Sequence, residues 1–182
     1  MLKKVTLATL IVSLLLPAVV MAGTIELPKT GQTTTYATGD DGAIQAGVAW
    51  PSPRFTAATN TVTDNLTGLV WTKDANLPSY KTWQEALGYV ASMNTGAGTY
   101  GYTDWRLPNI NELESLVNAE QANPATWLNS QGFTNVQSYY YWSSTSYADS
   151  TSDAWVVGLD GGFVYAGGKS GNGYVWPVRS GQ

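Results

Sequence analysis

The sequence predicts an α+β fold built on antiparallel sheets, and three observations predict it. Short runs of aromatic and β-branched residues, separated by Gly, Asn and Asp turns, gather in two blocks at 61–71 and 139–178. Between the blocks lie two capping boxes, Thr82 with Glu85 and Asn109 with Glu112, each opening an apolar stripe at helical spacing. Helices grouped between blocks of strands, without one-for-one alternation, favour α+β over a βαβ sheet.

The chain opens on a predicted secretory signal at 1–22. Lys3 and Lys4 form a basic start, residues 5–16 an apolar run, and Val20-Met21-Ala22 a small-residue cleavage pattern. Thr6, Thr9, Ser13 and Pro17 dilute the same stretch as an uncleaved anchor. The expected product is exported, periplasmic or at the cell surface, with no membrane span after cleavage.

Residues 23–60 form a polar extension that packs on, or leads into, a domain at 61–182. Gly39-Asp40-Asp41-Gly42 within it reads as a turn. The runs 61–63 and 69–71 flank Asp64-Asn65-Leu66-Thr67-Gly68, a hairpin pattern. Residues 82–94 form the first helix, burying Trp83, Ala86, Leu87, Val90 and Met93. Asn109 caps the second, whose stripe is Ile110, Leu113, Leu116 and Val117, with Glu114 and Glu120 on the solvated side.

Residues 119–137 carry no clear pattern and are expected as a long irregular loop anchored by Pro124, Trp127 and Phe133. Strands follow at 139–145, 155–159 and 163–166, the last two joined at Asp160-Gly161-Gly162. The terminal strand is expected at 174–178, on an edge because of Pro177.

Composition removes whole classes of chemistry. The 182 residues include no Cys and no His. Disulfides, thiolate nucleophiles, Ser-His-Asp triads and His/Cys metal sites are therefore excluded, and any general acid or base would be a carboxylate, Lys or Tyr. The formal charge is −4, and it becomes −6 once Lys3 and Lys4 leave with the signal. No basic run follows Lys4, so a nucleic-acid partner is excluded for want of clustered cations. Eight Trp and eleven Tyr against three Phe supply large rings with polar tips, suited to a core that opens onto a binding face.

Five motifs, in order, resemble a known family. They are Asp64-Asn65-Leu66-Thr67-Gly68-Leu69-Val70-Trp71, Trp83-Gln84-Glu85-Ala86, Asp104-Trp105-Arg106-Leu107-Pro108-Asn109 with Glu112-Leu113, Tyr141-Trp142-Ser143-Ser144-Thr145, and Val175-Trp176-Pro177-Val178-Arg179. Together they resemble the C-terminal domain family of the Legionella collagen-like adhesin, first described as a domain of unknown function. The resemblance implies a C-type lectin-like fold: antiparallel sheets with two packed helices and long irregular loops. It implies that 69–71 pairs with 174–178 and that 146–153 and 167–173 are exposed binding loops. The Cys-dependent enzymes of that superfamily cannot lend their chemistry to a chain without Cys. Neither Glu-Pro-Asn nor Gln-Pro-Asp, the calcium-dependent sugar tripeptides, occurs. A chain of charge −6 is a poor match to the sulfated polyanions associated with the family adhesin.

The expected function is an exported, non-catalytic recognition domain for a glycan or a surface protein. The expected ligand contacts are Tyr147, Asp149, Asp153, Lys169 and Asn172, because polar, Tyr- and Gly-bearing loops make adaptable contacts. Trp71, Trp105, Arg106, Trp142, Trp155 and Arg179 are assigned to the framework, the arginines paired with carboxylates or stacked on Trp. No cofactor is expected. Calcium at Asp149 and Asp153 is the alternative, although two carboxylates fall short of the about six to eight oxygens it takes. The competing functions are an assembly subunit of a cell-envelope complex and a carboxylate-based hydrolase with two carboxylates across a cleft.

Overall fold

A computed structural model describes residues 27–181. The expected signal segment lies outside the described residues. The elements run α1 (Asp41–Ile44), β1 (Phe55–Ala57), β2 (Thr61–Asp64), β3 (Leu69–Thr72), α2 (Trp83–Ser92), α3 (Ile110–Glu114), α4 (Pro124–Ser130), β4 (Tyr140–Ser146), β5 (Asp153–Gly158), β6 (Phe163–Gly168) and β7 (Val178–Ser180). The fold is mixed α+β, with one four-stranded antiparallel sheet in the order β1-β2-β3-β7 and one three-stranded antiparallel sheet in the order β4-β5-β6.

Local sequence explains most of these boundaries. Both capping boxes form: Thr82 and Glu85 exchange bonds at the start of α2, and Asn109 and Glu112 do so at the start of α3. Gly68, at φ +74°, adopts the left-handed backbone that closes the turn between β2 and β3.

Three expectations need correction. Residues 124–130 are helical, where an irregular loop was expected: Asn123 Oδ1 accepts from Thr126 N at 2.9 Å, and Pro124 takes the first turn, where no N–H is needed. The 39–42 turn runs into the single helical turn α1, capped by Asp40. The terminal strand is displaced towards the C-terminus. β3 does pair with the end of the chain, but the register is Trp71 with Val178 and Leu69 with Ser180, and Pro177 precedes the ladder, offering only its carbonyl to Thr72 N at 3.1 Å.

Two buried clusters organise the layers. The larger lies between the sheets, with Val62, Trp71 and Val178 from one, Tyr141 and Val157 from the other, and Leu113, Leu116, Leu128, Leu159 and Trp176 from the connecting segments. Trp71 and Trp176 meet edge to face at 5.4 Å, and Trp176 Nε1 donates to Thr72 O at 2.9 Å, so the indole dipole is satisfied inside the core. The smaller cluster covers the other face of the three-stranded sheet, where Ala86 and Val90 of α2 and its C-cap Met93 pack with Trp105, Trp142, Ala154 and Val156.

The segment before β2 is tied in by charge. Arg54 and Asp64 are both buried and paired at 3.4 Å, and Asp64 also accepts from Leu66 N and Thr67 Oγ1. Trp50 lies 4.0 Å from the Arg54 guanidinium carbon, giving the charge an aromatic face. Glu120 is not idle on the solvated side: its carboxylate accepts from the amides of Thr33 and Thr34 at 2.6 and 2.9 Å and from the Thr34 hydroxyl. These bonds hold its pKa down at about 2.

Candidate functional site

The two loops expected to bind are neighbours. Asp153 pairs with Gly168 across β5 and β6, and Lys169 N donates to Ser152 O at 2.9 Å. Their side chains differ in role. Lys169 Nζ donates to Ser146 Oγ at 2.6 Å and Thr151 O at 2.8 Å and sits 4.2 Å from the centre of the Trp83 ring, so it fastens one loop to the other and both to the start of α2. Tyr147 is half-buried with its ring edge on Trp155, 5.0 Å away. Trp155 is likewise half-buried, outside both core clusters, unlike Trp71, Trp105 and Trp142. Asp153 is half-buried, whereas Asp149 and Asn172 stand exposed.

The framework arginines both meet carboxylates. Arg106 makes a bidentate pair with Glu112, both bonds 2.6 Å. Arg179 Nε donates to Asp104 Oδ1 at 2.7 Å, and its guanidinium stacks on Tyr102 at 4.1 Å; the ring is a tyrosine, not a tryptophan. Ser143 Oγ donates to Trp155 O at 2.6 Å, so this hydroxyl is engaged with backbone.

A larger feature adjoins the second loop. Tyr140, Gly158 and Phe163 are opposite one another across β4, β5 and β6, and Trp142, Val156 and Tyr165 form the next row on the same face. Helix α2 packs with Trp142 and Val156 in the smaller cluster but leaves the outer row open. The result is a terrace of rings. Tyr80 is 45% exposed, Tyr139 44%, Tyr165 42% and Phe163 66%. Tyr139 lies on Tyr140 at 4.6 Å, Tyr140 meets Tyr165 edge on at 6.1 Å, and Tyr80 packs on Tyr174 at 4.3 Å. Within the aromatic run only Tyr141 and Trp142 are fully buried, while Tyr139 is exposed and Tyr140 half-buried.

Glycines shape the terrace. A side chain at Gly173 would strike the Tyr140 ring at 2.5 Å, and one at Gly158 would come within 2.7 Å of Asp160 Oδ1. Loop 167–173 therefore abuts the rings because it carries no Cβ there. Burial raises the pKa of Tyr140 and of Tyr165, the latter with help from the Asp160 charge, and pushes Tyr174 up to about 12. Tyr140 and Tyr165 therefore keep their phenol protons, while Tyr174 Oη donates to Gln137 Oε1 at 3.5 Å. Period-two alternation could have found this set: Tyr140 against Tyr141, and Phe163 and Tyr165 against Val164, are opposite faces of their strands.

Among the described residues, no helix is long and apolar enough to cross a membrane, and no three His, Cys, Asp or Glu side chains gather as a metal cluster. Fold and site together define an α+β domain of two antiparallel sheets that presents rings and small polar loops. The chain belongs to the Lcl C-terminal domain family, whose model matches residues 60–179. Comparison with curated proteins returns no match.

Proposed function

We propose that this is an exported, non-catalytic recognition domain that binds a glycan on the terrace of Tyr80, Tyr139, Tyr140 and Tyr165, with Asn172 and the rest of loop 167–173 at its rim. The observation that carries the reading is the open outer row of the three-stranded sheet. Rings presented to solvent offer apolar faces to the C–H faces of a sugar, while their hydroxyls and Asn172 supply hydrogen bonds. Membership of the Lcl family supports an adhesin-related place at the cell surface. The pairing of β3 with β7, and the placing of loops 146–153 and 167–173 late in the chain, support a C-type lectin-like fold. A non-catalytic role is supported by the lack of His and Cys and by the engagement of Ser143 with backbone.

An array of neutral and acidic glycans, probed with the domain and with its Tyr139→Ser and Tyr165→Ser variants, tests this. The expected result is binding to a defined glycan set, weakened about tenfold or more by either change, as for ring contacts at the centre of an interface. The second reading, an envelope assembly subunit, is favoured by the exposure of Phe163 at the terrace edge. Concentration-dependent self-association, abolished by Phe163→Ser, with no glycan bound at any calcium level, is the outcome that selects it.

A further inference from the structure

On the outer face of the four-stranded sheet, Thr63, Val70 and Arg179 are cross-strand neighbours in one row. With Gly68, Tyr102 and Gly181 they line a cavity of about 580 Å³. The Arg179 side chain is nine-tenths buried. Only its Nε is hydrogen-bonded, to Asp104; Nη1 and Nη2 have no hydrogen-bond partner among the described residues. Neither terminal nitrogen is sealed from solvent like the unpartnered Nη1 of Arg54. The nearby Arg106 is committed to Glu112 through both of its terminal nitrogens.

We propose that this cavity is a second binding site, for the carboxylate of an organic acid. The guanidinium end offers two parallel N–H donors, the fork that matches a planar carboxylate. Asp104 fixes the fork from the Nε side, and the Tyr102 ring holds it flat. Gly68 has nothing within 4 Å of where a Cβ would stand, so the mouth stays open beside the arginine. A tetrahedral dianion such as sulfate fits less well. It calls for several cations, and here there is a single uncommitted guanidinium end with Asp104 on its Nε, in a chain of net negative charge. The cavity shares no lining residue with the tyrosine terrace, so its failure leaves the terrace reading intact.

The test is an NMR titration of the full domain with sodium acetate and, separately, sodium sulfate at constant ionic strength, following the backbone amides of the lining residues Gly68, Tyr102 and Gly181 in every protein and the Arg179 side-chain N–H resonances where Arg179 is present. Saturable shifts with acetate, at least about tenfold weaker in Arg179→Gln and in Thr63→Glu, are expected; a charged hydrogen bond has that worth. Thr63→Glu keeps the Arg179–Asp104 pair and sets a competing carboxylate at the mouth, so it reports on the site even where Arg179→Gln unfolds. Galacturonic acid and an N-acetylated dipeptide as further titrants distinguish a sugar acid from a peptide terminus. Non-saturating acetate shifts, unchanged binding in Thr63→Glu, or tighter binding of sulfate overturns the proposal.

Discussion

Asp64 shows how much one residue can decide. It is fully buried, faces Arg54, and accepts two further bonds from the β2–β3 turn. Asp64→Ala leaves the Arg54 charge buried without its partner, and a loss of about 3–5 kcal/mol in urea unfolding is expected. Glu120 is the half-buried counterpart, with consequences that depend on pH. Its pKa is depressed from 4.5 to about 2, so its hold on Thr33 and Thr34 is complete above the ordinary carboxylate value and is lost as pH falls through that window. Faster hydrogen exchange at those two amides between about pH 4.5 and 2, with the core still protected, is the expected signature. Glu120→Gln should bring the same loosening to neutral pH. Neither residue's role was legible in the sequence, because each depends on a partner far away in the chain or on the outcome of packing.

At the scale of elements, the sequence was most legible where the signal is local. The two capping boxes and the β2–β3 turn fall where Thr82, Asn109 and Gly68 place them, since each motif satisfies its own backbone groups. Helix α4 was hidden by a short, mixed stripe, although Asn123-Pro124 is a start signal; Asn123→Ala should cost about 0.5–2 kcal/mol by removing the bond to Thr126 N. The terminal strand moved because Pro177 cannot donate to a ladder, so regular pairing begins one residue later. Among the expected site residues, the chain alone could not separate Lys169, which fastens the loops, from Asn172, which is exposed. Lys169→Met should raise hydrogen exchange in both loops, at Lys169 N and Tyr147 N first, while leaving α2 protected. The tyrosine terrace was within reach of period-two reading, but runs of rings read equally as core until the extent of α2 is known.

At the scale of the molecule, two cores share one sheet. The central core joins both sheets through Trp71, Trp176 and Tyr141, and Trp176→Ala should cost about 3–5 kcal/mol because the ring is fully buried and its loss also takes the indole donor from Thr72 O. The smaller core stops where α2 stops, and there the sheet turns its remaining rings outward. That economy of cover is what makes the terrace: a rigid sheet holds Tyr140 and Tyr165, and a glycine-rich loop abuts them. The most direct test of the recognition reading is calorimetric titration of the domain with the best glycan from an array, in parallel with Tyr165→Ser. Tyr165 is exposed and outside both cores, so folding and unfolding midpoint should match the parent. Saturable binding by the parent and a loss of about tenfold or more in the variant are expected. Equal affinity in the two proteins, with the fold unchanged, would contradict the recognition reading.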